Sequence, residues 1–115
     1  IKEAIEKHDM VSGIVISGIG SLSKARYHIV IPDQKRVWDD TVIEKEGAIE
    51  VMNITGIIAD SSPHLHITMS KDDETFGGHL EDNNIVLTIC EITILKVKDA
   101  MMIIKGERYG KLEKR

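Results

Sequence analysis

Three of the five histidines in the chain fall within the stretch PHLHITMSKDDETFGGHL, residues 63–80. His64 and His66 are separated by one residue, and His79 follows a Gly-Gly pair. An imidazole offers a nitrogen lone pair to a metal ion and carries protons near neutral pH. Three imidazoles that converge would hold a divalent cation. Whether they converge depends on the elements that carry them.

HLHITMS alternates polar and apolar residues, the signature of a half-buried strand. His64, His66, Thr68 and Ser70 share one face, and Leu65, Ile67 and Met69 share the other. A turn about Asp72-Asp73 folds TFGGHL back onto this strand. Met69 then faces Phe76, Ile67 faces Gly78, and Leu65 faces Leu80, so the apolar face sets the register. In that register His66 sits opposite His79, with Cβ atoms about 4.5–5.5 Å apart, and His64 is diagonal to it. Gly77, opposite Thr68, leaves the polar face open. His64, His66 and His79 are therefore the expected metal ligands. Zinc is the first choice of ion, with a fourth position left for water; other first-row divalent ions also fit, because imidazole selects weakly among them. The competing reading is a pair of surface histidines, or polar groups satisfied beside a cleft. A slip of one residue would send His79 to the opposite face.

The other candidates are weaker. Glu91 interrupts the apolar run IVLTICEITILKV. It could orient a histidine, supply a fourth ligand or act as a base, or face solvent or a neighbouring subunit. Cys90 points the other way and reads as core filler. His28 is expected to be a partly exposed strand residue away from the trio. His8 closes the opening helix, where partial positive charge is favoured. Arg26 and Arg108 could bind an anion, but pairing with the surplus carboxylates is the preferred expectation. Gly18-Ile-Gly20 lacks the third glycine of a dinucleotide loop, and a strand rather than a helix follows it; a tight turn or bulge is expected there. No Ser-His-Asp order or phosphate-cradling loop is visible. No catalytic residue is assigned.

These residues need a scaffold. IKEAIEKH reads as the last turns of a helix with Ile1, Ala4 and Ile5 on one face. Strands are expected in VSGIVISGIGSL, KARYHIVI, AIEVMNITGIIA (with a bulge at Gly56), HLHITMS, TFGGHL, IVLTICEITILKV and MMIIKGE, with a further short one in VWDDTVIEKEG. The long β-branched run is expected to be central or interfacial. The sum is an α+β fold, a mainly antiparallel sheet of seven or eight strands with at least one helix, in a single domain over residues 1–115. Hydrophobic residues at 42% and charged residues at 30% fit a globular chain, and aromatics at 3% leave the core to aliphatics. One cysteine excludes a disulfide within the chain and a zinc knuckle, and points to a reducing cytoplasm. No apolar run reaches the roughly 18 residues of a membrane span, and no signal peptide is visible. The formal charge of −4 is not that of a generic nucleic-acid binder. The basic end, GERYGKLEKR, reads as a solvated tail.

The succession SGIGSLSKARY, IEVMNITGII, PHLHITMSKDDETFGGHL and TICEITI resembles the plant and prokaryote conserved (PPC) domain over nearly the whole chain. PHLH followed by GGHL at this distance is the most specific part. The strand that opens the family's domain is not in the sequence, as expected of a clipped start at Ile1. Plants join this domain to AT-hooks in nuclear proteins, whereas bacteria and archaea usually carry it alone. The resemblance implies a largely antiparallel sheet flanked by helices, a homotrimer with Ile85–Val97 at the subunit contact, and a predicted DNA-binding or regulatory role. No Arg-Gly-Arg-Pro hook is present. His64, His66 and His79 stand at the matching motif positions. The alternative function is a metal-dependent enzyme or small-ligand binder, with Glu91 as its base.

Overall fold

The computed structural model describes residues 1–31, 39–98, 100–103 and 111–114. A short helix, α1 (Lys2–Lys7), is followed by strands β1 (Gly13–Ile31), β2 (Asp39–Ala59), β3 (Ser62–Lys71), β4 (Glu74–Leu80), β5 (Ile85–Lys96), β6 (Ala100–Ile103) and β7 (Lys111–Lys114). The first five strands form one antiparallel sheet, and β6 and β7 pair separately.

Chain order links β1 to β2, β2 to β3 and β3 to β4 as antiparallel neighbours. β4 then returns to β1, pairing Leu80 with Tyr27 and His79 with His28. These four strands close on themselves as a small barrel, and β5 lies along the first half of β1. Two-residue turns drive the hairpins. Asp60 and Ser61 both have positive φ, as does Asp72, the backbone that matches the twist of tight antiparallel pairs. Inside the barrel Val15, Ile49, Ile58, Ile67 and Met69 are almost wholly buried, and Ile5 of α1 joins the same cluster. Each such side chain contributes roughly 1.5–3 kcal/mol over its exposed state.

Among the described residues the main sheet has five strands, fewer than the expected seven or eight, and one six-residue helix stands where flanking helices were expected. The reason lies in two long strands. VSGIVISGIGSL and KARYHIVI run together as β1, and the segment before AIEVMNITGIIA runs into it from Asp39 as β2. The glycines bend β1 without ending it. Gly20 has φ +155, and a Cβ there would meet the Ile89 carbonyl oxygen at 2.1 Å. Glycine therefore lets β5 approach β1 closely, and the register slips just beyond, between Gly20 and Leu22. In β2 the extra residue is Met52, between Val51 and Asn53, rather than Gly56, which pairs regularly with Leu65.

The β-branched run is not central. β5 pairs only with β1 among the described strands, and Ile85, Val86, Leu87, Ile89 and Leu95 remain about half exposed. Arg108 lies outside the described residues.

Candidate metal centre

The hairpin of β3 and β4 has the register that its apolar face demands: His66 opposes His79, Ile67 opposes Gly78, Thr68 opposes Gly77 and Met69 opposes Phe76. Leu65, Ile67 and Met69 point into the barrel core, which leaves His64 and His66 on the outer face. The ring centroids of His66 and His79 are 5.3 Å apart, those of His64 and His79 4.5 Å, and those of His64 and His66 5.6 Å. One ring nitrogen from each of the three lies within 4.8 Å of the others. The three histidines chosen from the sequence are thus brought together.

A fourth imidazole joins them from β1. His28 stands directly opposite His79 in the β1–β4 pairing. The two rings stack with centroids 4.2 Å apart and planes 22° apart. His28 is 7% exposed, which corrects the expectation of a partly exposed residue remote from the trio. Its Nδ1 donates a hydrogen bond to the Glu81 carboxylate, while its Nε2 is buried with no hydrogen-bond partner among the described residues. His28, His79 and Glu81 form a second group with donor atoms within 4.8 Å.

Gly78 makes this approach possible. A Cβ at that position would sit 2.5 Å from the His28 carbonyl oxygen and 3.1 Å from the Tyr27 ring. Only a residue without a side chain lets β4 come this close to β1, and that contact carries His79 to His28. The end of β4 is then tied down. The Glu81 N–H donates to the Arg26 carbonyl, the Arg26 N–H donates to the Asn84 side-chain oxygen, and the Asn84 side-chain N–H donates to the Glu81 carbonyl.

Burial drives the His79 pKa down to about 4. The neighbouring His28, His64 and His66 push the same way, and Glu81 opposes them. His64 is also lowered, by burial first and then by His66 and His28. Both rings are therefore neutral at pH 7, the protonation state that a metal ion requires.

Glu91 does not join the histidines. It is exposed on β5, paired with Ile19. Cys90 is half-buried against the core, and burial pushes its thiol pKa up, as expected of an inert packing residue. Arg26 pairs with Glu44 at 3.3 Å, and Lys24 reaches the same carboxylate at 3.8 Å. His8 caps the C-terminus of α1. Glu81 was missed, although alternation along His79-Leu80-Glu81 already sets it on the face of His79. His28 gives no local signal, because only the closure of β4 onto β1 places it. A cavity of about 750 Å³ borders the site, walled by His79 and Glu81 on its polar side and by Leu22, Ile54, Leu65 and Cys90 on its apolar side.

The fold recurs in solved structures. A metal-containing protein from Archaeoglobus fulgidus superposes with a TM-score of 0.74 at 23% identity, covering 99% of this chain and 81% of that one. A candidate DNA-binding protein from Ralstonia eutropha gives 0.70 at 23% identity, covering 96% and 78%. Among curated proteins, the bifunctional protein GlmU of a Synechococcus strain is 28% identical over 99 residues. The match takes in 82% of this chain but only 15% of that protein's length. Residues 1–98 match the Plants and Prokaryotes Conserved (PCC) domain.

Proposed function

The chain belongs to the Plants and Prokaryotes Conserved domain family, and on that premise we propose that it is a divalent-metal-binding module whose ligands are His64, His66 and His79, with zinc as the preferred ion. The observation that carries this reading is the meeting of three imidazole nitrogens within 4.8 Å on an open face. Nitrogens bound to one zinc stand roughly 3.4 Å apart, so small side-chain rotations suffice. The donor set is neutral and purely nitrogenous, which suits zinc and its first-row neighbours and does not suit calcium or magnesium. An ion held there supplies Lewis acidity at its fourth position. This chain's own residues hold the ring planes and keep His79 and His64 unprotonated. The archaeal structural neighbour described as metal-containing is consistent with this reading.

The test is metal analysis and calorimetric titration on protein purified without a histidine tag. One equivalent of zinc per chain, lost in His66→Ala, supports the reading. Absence of any stoichiometric first-row metal sinks it.

A metal-dependent enzyme or small-ligand binder is the second reading, favoured by the cavity that shares His79 and Glu81 with the site. Glu91 is not its base, because it lies exposed on β5. A zinc-dependent thermal shift with a panel of small metabolites, absent from His79→Ala, would support it.

DNA association is the regulatory role in view for the family, and the Ralstonia neighbour is named for it. A likeness at 23% identity carries the fold alone. The net charge of −4 and the pairing of Arg26 and Lys24 with Glu44 weigh against it. Binding to duplex DNA that falls steeply with salt would restore that role. The assembled form proposed is a homotrimer, supported by the half-exposed apolar residues of β5 and by Ile16 and Ile19 on β1; the cytoplasmic location proposed rests on the single cysteine.

A further inference from the structure

β4 lies between β1 and β3, so the ring of His79 has a histidine on each side. That ring stacks on His64 with centroids 4.5 Å apart and on His28 with centroids 4.2 Å apart. His28 falls in a donor group with His79 and Glu81, and not in that of His64, His66 and His79. Within that second group His28 and Glu81 are bonded to each other. A carboxylate oxygen only accepts, so the His28 proton sits on Nδ1, and these two donor atoms are spent on each other.

We propose that Glu81 and His28 are a positioning pair for the metal ligand His79, a role that rests on the metal-binding reading above. Glu81 is anchored to β1 at both its backbone N–H and its carbonyl, the latter through Asn84. Its carboxylate fixes the ring of His28, whose side chain is 9% exposed. His28, locked in this way, fixes the plane of His79 by stacking. A carboxylate bonded directly to a ligating histidine sets its orientation and raises its basicity. Here the carboxylate acts one ring further out.

The experiment compares wild type, Glu81→Gln and His28→Leu by zinc competition titration and by the visible spectrum of the cobalt form. The His79 ring signals of the metal-free protein are read by long-range proton–nitrogen NMR. Both variants are expected to bind zinc about tenfold more weakly and to change the cobalt spectrum, although neither altered residue touches the ion. Metal-free wild type is expected to show one sharp set of His79 signals that broadens in the variants. Unchanged affinity, spectrum and ring signals overturn the inference. A wild type that binds no zinc or cobalt defeats the metal-binding reading instead. In that case the metal-free ring signals alone decide the pair: broadening supports it, and identity with wild type overturns it. His28 is buried and its variant risks misfolding; Glu81, with a side chain 32% exposed, does not carry that risk.

Discussion

His28 and His79 stack face to face at 4.2 Å, although two further strands, β2 and β3, lie between them along the chain. The contact exists because β4 closes onto β1, and that closure depends on the bare backbone of Gly78.

Gly78→Ala should therefore disturb more than one residue. The new methyl group would press on the His28 carbonyl oxygen at 2.5 Å, which is backbone and has little room to move. A loss of about 1–3 kcal/mol is expected, read from urea unfolding, together with weaker zinc binding as His79 shifts.

His66→Ala separates site from fold. His66 is exposed on the outer face of β3, so its truncation should leave the thermal midpoint of the metal-free protein nearly unchanged. Zinc affinity should fall by two orders of magnitude or more, since two imidazoles remain where three bound. The same titration on His64→Ala should give a similar loss.

Stability of the metal-free protein should decline in mild acid. The His79 pKa is about 4 when folded against 6.5 unfolded. As pH falls from about 6.5 towards 4, the unfolded chain gains a proton that the folded chain refuses, so unfolding is favoured. The contribution is complete above pH 6.5 and is lost by about pH 4. The full shift corresponds to about 3 kcal/mol; partial exposure of the ring screens it to about 1–2 kcal/mol. His64, lowered for the same reason, acts in the same direction. Urea midpoints measured between pH 4 and 8 should show this slope, and His79→Gln should flatten it.

Ile89→Glu addresses self-association. Ile89 is 56% exposed on β5, so a charge there costs the isolated chain little. If β5 is the subunit contact, light scattering on the eluted protein should show trimers for wild type and smaller species for the variant. Trimers in both would remove β5 from the interface.

Much of the centre could be read along the chain because its parts are local. HLHITMS alternates strictly, a two-residue turn at Asp72-Asp73 fixes which residues face one another, and the apolar partners Met69–Phe76 and Ile67–Gly78 permit one register. The pairing of His66 with His79 follows from pleat and turn alone. Glu81 was legible in principle by the same alternation. The division of β1 and β2 into shorter strands was misread because glycine ordinarily ends a strand, whereas Gly20 here bends one.

What the linear chain determined was thus the hairpin, its two faces and the three candidate ligands. What tertiary structure decided was the fourth histidine, the Glu81–His28 bond, the low pKa of His79 and the exposure of β5. The reason is physical. Hairpin register is set by contacts a few residues apart, where alternation and turn chemistry suffice. The return of β4 to β1 joins segments far apart in the chain, and only barrel closure and the space left at Gly78 select it.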